Sequence, residues 1–372
     1  MLSGVRVVDF SRVLAGPYAT MMMADHGADV VKVESPAGDD TRHWAPPVDE
    51  DGHSTYFASV NRNKRSVVCD LRRPDGIARA RTLAESADVL VENFRPGVMA
   101  GFGLDEPALR RANPGLVYCT ITGFGSSATL PGYDLLVQAL GGLMSITGEP
   151  DGGPTKVGVA LVDIITGSNA LSGVLMALRA RERTGRGVLV EVDLLTSLLS
   201  ALTNQASSSL ATGQSPPRLG NGHPSIAPYD VYLAADRPLV IAVGNDRQFH
   251  RLCDVLRLDL AADPRFATNA DRVRDRDRLR VLLEESLRTD EAAVWVSALT
   301  RAQVPAGLVN TIPEAFAFAA SLGLEPIARF VDPTTGRSST QPANPIHFPA
   351  RPARYRRAAP ALGEHNGALW AQ

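Results

Sequence analysis

The sequence is poor in the features that most quickly assign a function. It has only three cysteines, Cys69, Cys119 and Cys253, and they lie far apart. They form no Cys-x-x-Cys pair and no metal-ligand spacing, which argues against a structural zinc site or a dithiol redox motif. Unpaired thiols of this kind fit a reducing cytoplasm. Neither sign of charge dominates: 38 Lys plus Arg against 40 Asp plus Glu give a net charge of −2. Nucleic-acid binding needs an excess of positive charge, so no nucleic-acid partner is expected. The seven His are scattered, and no metal is expected. There is no Gly-x-Ser-x-Gly elbow, no His-Glu-x-x-His and no phosphate loop. Gly101-Phe102-Gly103-Leu104-Asp105-Glu106 lacks the third glycine of a dinucleotide fingerprint and does not follow a strand. The chain does not open on a basic segment followed by an apolar one, so no signal peptide is expected. One stretch, Val157–Leu178, has the length of a membrane span with a single charge, Asp163. Gly158, Thr166, Gly167, Ser168, Asn169, Ser172 and Gly173 interrupt it, so it reads as a buried helix and no membrane partner is expected.

What is present is the composition of a folded protein, 44% apolar, with a length that suits about two domains. Strands and helices alternate through the first half. Val5–Phe10, Asp29–Glu34, Asp88–Asn93, Leu116–Thr122 and Val188–Val192 read as strands. Pro17–His26, Pro74–Ser86, Asp105–Ala112, Asp134–Ser145 and Asp163–Arg183 read as helices. Such alternation argues for a Rossmann-like parallel sheet covered by helices. Residues 206–228 turn to Ser, Pro and Gly and read as a linker or functional loop. A smaller α/β domain is expected over 229–330. Its strands are Tyr229–Leu233, Leu239–Val243 and Ala306–Asn310, and its helices Asp246–Leu256, Ala270–Leu287 and Asp290–Ala302. The large domain is then 1–205, completed by 340–372 after a return linker at 331–339.

Four clusters carry possible chemistry. Asp163 is a lone carboxylate in the apolar frame Val159–Gly167. It reads either as a helix N-cap or as a nucleophile that a helix N-terminus keeps ionised, and the two are compatible. Tyr133 and Asp134 open a helix that carries Gly141-Gly142 in its middle, and Asp134 reads as a cap or a catalyst. Asn61-Arg62-Asn63-Lys64-Arg65-Ser66 either grips phosphates or forms a solvated turn before a strand. Glu92-Asn93-Phe94-Arg95-Pro96-Gly97 stands at the carboxyl end of a strand, where parallel sheets bind ligands.

Together these segments resemble the class III CoA-transferase family. The match runs through Val8–Pro17, Asp25–Glu34, Gly38–Arg42, Asn63–Ser66, Val91–Gly97, Gly132-Tyr133-Asp134, Thr184–Gly187, Gly220-Asn221, His223-Pro224, Pro228-Tyr229 and Leu362–His365, in order and nearly end to end. The resemblance implies an interlinked, ring-shaped homodimer. The implied reaction moves coenzyme A from an acyl-CoA to a carboxylic acid, with no permanently bound cofactor. It implies that Asp163 attacks the thioester, passing through an anhydride and an aspartyl-CoA thioester, with Tyr133 and Asp134 beside it. It implies CoA contacts at Leu14, Ala15, Lys64, Arg65, Asn93, Phe94 and Met99. The sequence also departs from the family. Leu14 replaces the Gln of the formyl-CoA transferase branch, whose four-glycine lid has no counterpart, and Ser35 and Gly101 stand where relatives carry cations. The alternatives are a racemase-like isomerase and a non-catalytic CoA binder. The racemase branch has His at the position of Tyr133, and a phenol with a pKa of ~10 is a poor proton shuttle at neutral pH.

Overall fold

The computed structural model describes residues 1–49 and 52–370. Six strands make one parallel sheet: β1 (Arg6–Asp9), β2 (Asp29–Glu34), β3 (Lys64–Val68), β4 (Val89–Glu92), β5 (Val117–Thr122) and β6 (Leu189–Asp193). Their order is β3-β2-β1-β4-β5-β6. This is the doubly wound arrangement, in which the chain reverses direction between β1 and β4 and opens a crevice at the carboxyl ends. The Val-rich strand sequences follow from burial on both faces. Val7, Val30 and Val89 face one core, and Val8, Val31 and Leu90 face the other.

The first core is closed by helix α1 (Ala15–Asp25) and by the long helix Leu161–Thr184. By length and composition the long helix alone, among the described residues, qualifies as a membrane span. Its Val162, Ala170, Val174 and Ala177 are buried in this core, which accounts for its apolar character. Gly167 lets it approach α1: a Cβ there would stand 2.5 Å from the Ala15 carbonyl oxygen.

Two units partition the chain. The first comprises Met1–Leu143, Val157–Gln214 and Gly323–Gln372; the second comprises Met144–Lys156 and Ser215–Leu322. The second unit has a three-stranded antiparallel sheet of β7 (Tyr229–Leu233), β8 (Pro238–Ala242) and β9 (Ala306–Leu308), packed around Phe249, Leu252, Phe266 and Leu283.

Several boundaries depart from expectation. The linker read over 206–228 begins inside a helix, Thr203–Thr212. The return linker read over 331–339 falls within a hairpin of β10 (Ile327–Val331) and β11 (Ser338–Pro342), placed in the first unit. Residues 371–372 of the C-terminal segment lie outside the described residues. The helix expected over Asp134–Ser145 stops at Leu140, because Gly142 adopts φ +85, a left-handed conformation that a helix cannot continue through. The stretch Ala270–Leu287 divides into two helices at Asp275. Helices at Thr55–Asn61 (α2) and Ile312–Ser321 had no counterpart in the sequence reading.

Candidate active site

Helix starts leave first-turn amides without partners. At the long helix, Ala160 occupies the cap position and its side chain offers no acceptor. The acceptor comes instead from Asp134, in the first turn of the helix Asp134–Leu140. Its Oδ1 accepts hydrogen bonds from the amides of Val162 at 2.8 Å and Asp163 at 3.2 Å. Asp134 Oδ2 accepts from Gln138 Nε2 at 2.6 Å, and Gln138 Oε1 accepts from the Val157 amide at 3.0 Å. The buried Gln138 therefore ties the segment before the long helix to the helix that carries its cap.

Asp163 is the third residue of the long helix, so it is not its own N-cap. Burial pushes its carboxyl up to about 7, and the Asp134 charge adds to that rise. This reverses the expectation that the helix start keeps Asp163 ionised. The amides that would have held its charge already hold Asp134, a like charge. A strongly raised carboxyl beside a second carboxylate is a mark of functional sites.

Leu14 and Ala15 are buried at the head of α1, on this side of the sheet. Leu14 packs in a small cluster with Tyr56, Ala160 and Ile164, and the last two flank Asp163. The Tyr56 hydroxyl is pushed up to about 12, first by burial and then by the charges of Asp163, Asp134 and Asp39. It stays protonated across the neutral range. Sequence reasoning missed Tyr56, because nothing local marks it; the packing of α2 (Thr55–Asn61) brings it here.

Lys64 and Arg65 do not form a phosphate-binding turn. Lys64 is fully buried, and its Nζ donates to Asp9 Oδ2 at 3.0 Å, the Pro17 carbonyl at 2.9 Å and Asn61 Oδ1 at 2.9 Å. Those three bonds use every donor of an ammonium. Arg65 is bidentate on Asp29, at 3.0 and 2.5 Å. The surrounding residues instead fasten the C-terminal segment. Arg62 pairs with the buried Asp25 and donates to the Pro342 carbonyl, and Asn63 binds the backbone of Arg354, Arg356 and Arg357. His365 and Asn366 cover the backbone of Ser66 and Val68, which shields the outer edge of β3.

A cavity of about 580 Å³ opens at the carboxyl ends of β1 to β4. Its walls include Phe10 and Arg12 after β1, Ser35–Asp39 after β2, Cys69–Arg72 after β3, and Phe94 after β4. Arg12 lies over the Phe94 ring, 5.5 Å from its centroid. Of the expected CoA contacts Asn93, Phe94 and Met99, Phe94 alone lines the cavity. Asn93 spends its amide on the backbone of Arg12, accepting from its N–H at 2.9 Å and donating to its C=O at 2.8 Å. Met99 is a core residue, 5% exposed.

Comparison with known proteins decides the family. The model of CoA-transferase family III matches residues 2–366. The chain belongs to CoA-transferase family III. It is 45% identical to the succinate–glutarate CoA-transferase of Agrobacterium fabrum, over all of this chain and 95% of that protein. It is 43% identical to the acetyl-CoA:oxalate CoA-transferase of Acetobacter aceti, over 84% of this chain and 81% of that one. The crystal structure of a CAIB/BAIF family protein from Brucella suis superposes with a TM-score of 0.88 at 41% identity, covering 100% of this chain and 98% of that one. The protein is thus a CoA-transferase, an enzyme whose substrates are CoA thioesters. Of the family positions, Asp163, Asp134, Leu14 and Ala15 come together around one helix start, and Tyr133, next to Asp134, is 65% exposed. Lys64, Arg65 and Met99 are committed elsewhere.

Proposed function

We propose that this enzyme transfers coenzyme A from an acyl-CoA to a carboxylate through covalent intermediates on Asp163. The observation that carries this reading is the half-buried Asp163 carboxyl, raised to about 7 at a helix start whose amides are taken by Asp134. A carboxylate of that basicity is about half ionised at neutral pH and a better nucleophile than an ordinary aspartate.

An Asp163 oxygen attacks the thioester carbonyl carbon, the C–S bond breaks, and CoA leaves as thiolate with a mixed anhydride behind it. The thiolate attacks Cγ of Asp163, releasing the donor acid and forming an aspartyl-CoA thioester. An oxygen of the acceptor carboxylate attacks the same Cγ and expels the thiolate. The thiolate then attacks the acceptor acyl carbon, forming the new acyl-CoA and restoring the Asp163 carboxylate. Tyr56 supplies a protonated phenol to the substrate oxygens. The cavity with Arg12, Arg72 and Phe94 takes the nucleotide end of CoA, with Phe94 and Phe102 offering apolar surface and the two arginines offering charge.

Dicarboxylic acids are the acceptors that similarity favours, since the two relatives above are named for succinate, glutarate and oxalate. Two copies in an interlinked homodimer suit the apolar surface of each chain. The helix Ile312–Ser321 has no buried residue, and Ile312 and Phe318 are 76% and 57% exposed. The test is CoA transfer from succinyl-CoA to a panel of mono- and dicarboxylates, with the Asp163→Ala protein as control and light scattering for mass. Turnover on dicarboxylates, lost in the variant, and a mass of twice 39.6 kDa are expected. Retained turnover without Asp163 removes the mechanism. Exchange of the substrate α-proton with heavy water in the absence of an acceptor would move the assignment to the isomerase.

A further inference from the structure

The loop joining β1 to α1 is Phe10–Leu14, and Val13 in it has φ +68. A β-branched residue resists that conformation, and such outliers persist only where surrounding groups enforce them. Here the enforcement is visible. The Val13 amide points at both carboxylate oxygens of Asp39, 3.3 Å from each. Asp39 is 1% exposed and paired with the fully buried Lys32 at 2.9 Å. Lys32 Nζ also donates to the Ser11 carbonyl at 2.8 Å. Burial opposes the Asp39 charge, but Lys32 and the bonds from Thr41 hold its carboxyl down at about 2, so it is ionised throughout the working range. Asn93 grips both backbone groups of Arg12 from the other side.

A plain strand-to-helix connection needs no such set of tethers. This loop has two different neighbours at its ends. Arg12 lines the cavity at the sheet's carboxyl edge, and Leu14 packs with Ala160 and Ile164, on either side of Asp163. We propose that Asp39, backed by Lys32, is a positioning residue: it clamps Val13 in the left-handed conformation and so fixes the spacing between the CoA-binding cavity and Asp163. The inference rests on the reading of Asp163 as the nucleophile. The buried pair then serves alignment of the thioester, and stabilises the fold only in addition.

The experiment is the single-turnover rate of CoA adduct formation on Asp163 from succinyl-CoA. It is measured beside the affinity for 3′-phospho-ADP, which has the nucleotide but no thioester. Asp39→Asn is expected to slow adduct formation by roughly ten- to a hundredfold, the scale of a misplacement near 1 Å. Asp39 also lines the cavity, so nucleotide affinity is measured beside the rate, and the clamp predicts that adduct formation falls by a larger factor than the affinity does. Adding Val13→Gly to Asp39→Asn should restore most of the rate, since glycine adopts this φ without strain. Asp39→Glu keeps the ion pair with Lys32 while moving the oxygens away from Val13; if Asp39→Asn does not fold, it carries the same expectations, including rescue by Val13→Gly. Adduct formation at the parent rate in the Asp39 variant overturns the proposal. So does a slow variant that Val13→Gly fails to rescue, which would mark a purely structural pair. A parent enzyme that forms no adduct removes the Asp163 mechanism and this inference with it, and is thereby distinguished from a failure of the clamp alone.

Discussion

The carboxylate of Asp134 caps the helix on which Asp163 is the third residue, with Oδ1 accepting from the Val162 and Asp163 amides at 2.8 and 3.2 Å. One side chain thus does two things to Asp163. It fixes the backbone that carries Asp163, and it places a negative charge next to the Asp163 carboxyl. An amide at position 134 separates the two effects, because it keeps an oxygen for the cap and drops the charge. Asp134→Asn should therefore shift the acid limb of adduct formation to lower pH. The limb should fall below about 7 yet stay above the ordinary value of 3.8, since burial, the larger cause, remains. Asp134→Ala should in addition lose about 1 kcal/mol of stability with the cap. A pH–rate series on both variants checks this.

The raised carboxyl of Asp163 also predicts a stability that depends on pH. With a folded value near 7 and an unfolded value near 3.8, the folded state holds the proton more tightly. Its contribution is fully present below 3.8, declines as pH rises, and is lost above about 7. Asp163→Asn removes the group and should stabilise the protein. The gain should be roughly 1–2 kcal/mol at pH 5 and about 4 kcal/mol at pH 8, at 1.36 kcal/mol per unit. Urea unfolding at the two pH values measures it; a gain independent of pH would contradict the burial argument.

Lys64 should behave as a structural residue. Lys64→Met leaves Asp9 buried without its ammonium, which costs about 3–5 kcal/mol. Denaturation should show the loss, and CoA affinity of the folded fraction should not change. A stable variant with weakened CoA binding would restore the phosphate role.

Arg72 stands at the mouth of the cavity, paired with Asp70 and exposed. Arg72→Ala should raise the KM for acyl-CoA by roughly tenfold, the scale of one charge-assisted hydrogen bond, with kcat unchanged. Steady-state kinetics with CoA and with its 3′-dephospho form would show which phosphate the residue meets.

Much of this architecture could be read from the residues. Strands such as Val5–Phe10 and Asp29–Glu34 are Val-rich because both sheet faces are covered, and that pattern survives in sequence. Asp163 was visible because a carboxylate in an apolar frame has few explanations. What failed depended on distant partners. The chain has three lysines, and two of them, Lys32 and Lys64, are fully buried. Lys64 resembled a phosphate ligand because its true partner, Asp9, lies 55 residues away on another strand. An N-cap reading of Asp163 stood beside the nucleophile reading because the residue that caps the helix, Asp134, is 29 residues upstream. Tyr56 gave no signal at all, since it reaches the cluster of Leu14, Ala160 and Ile164 only through the tertiary fold.

The most direct test of the central claim is mass spectrometry of the intact protein during turnover with succinyl-CoA, followed by peptide mapping. The account predicts a CoA-sized adduct on the peptide bearing Asp163, absent in Asp163→Ala and discharged when a dicarboxylate is added. Transfer without any adduct, or an adduct mapped to another carboxylate such as Asp134, would contradict it.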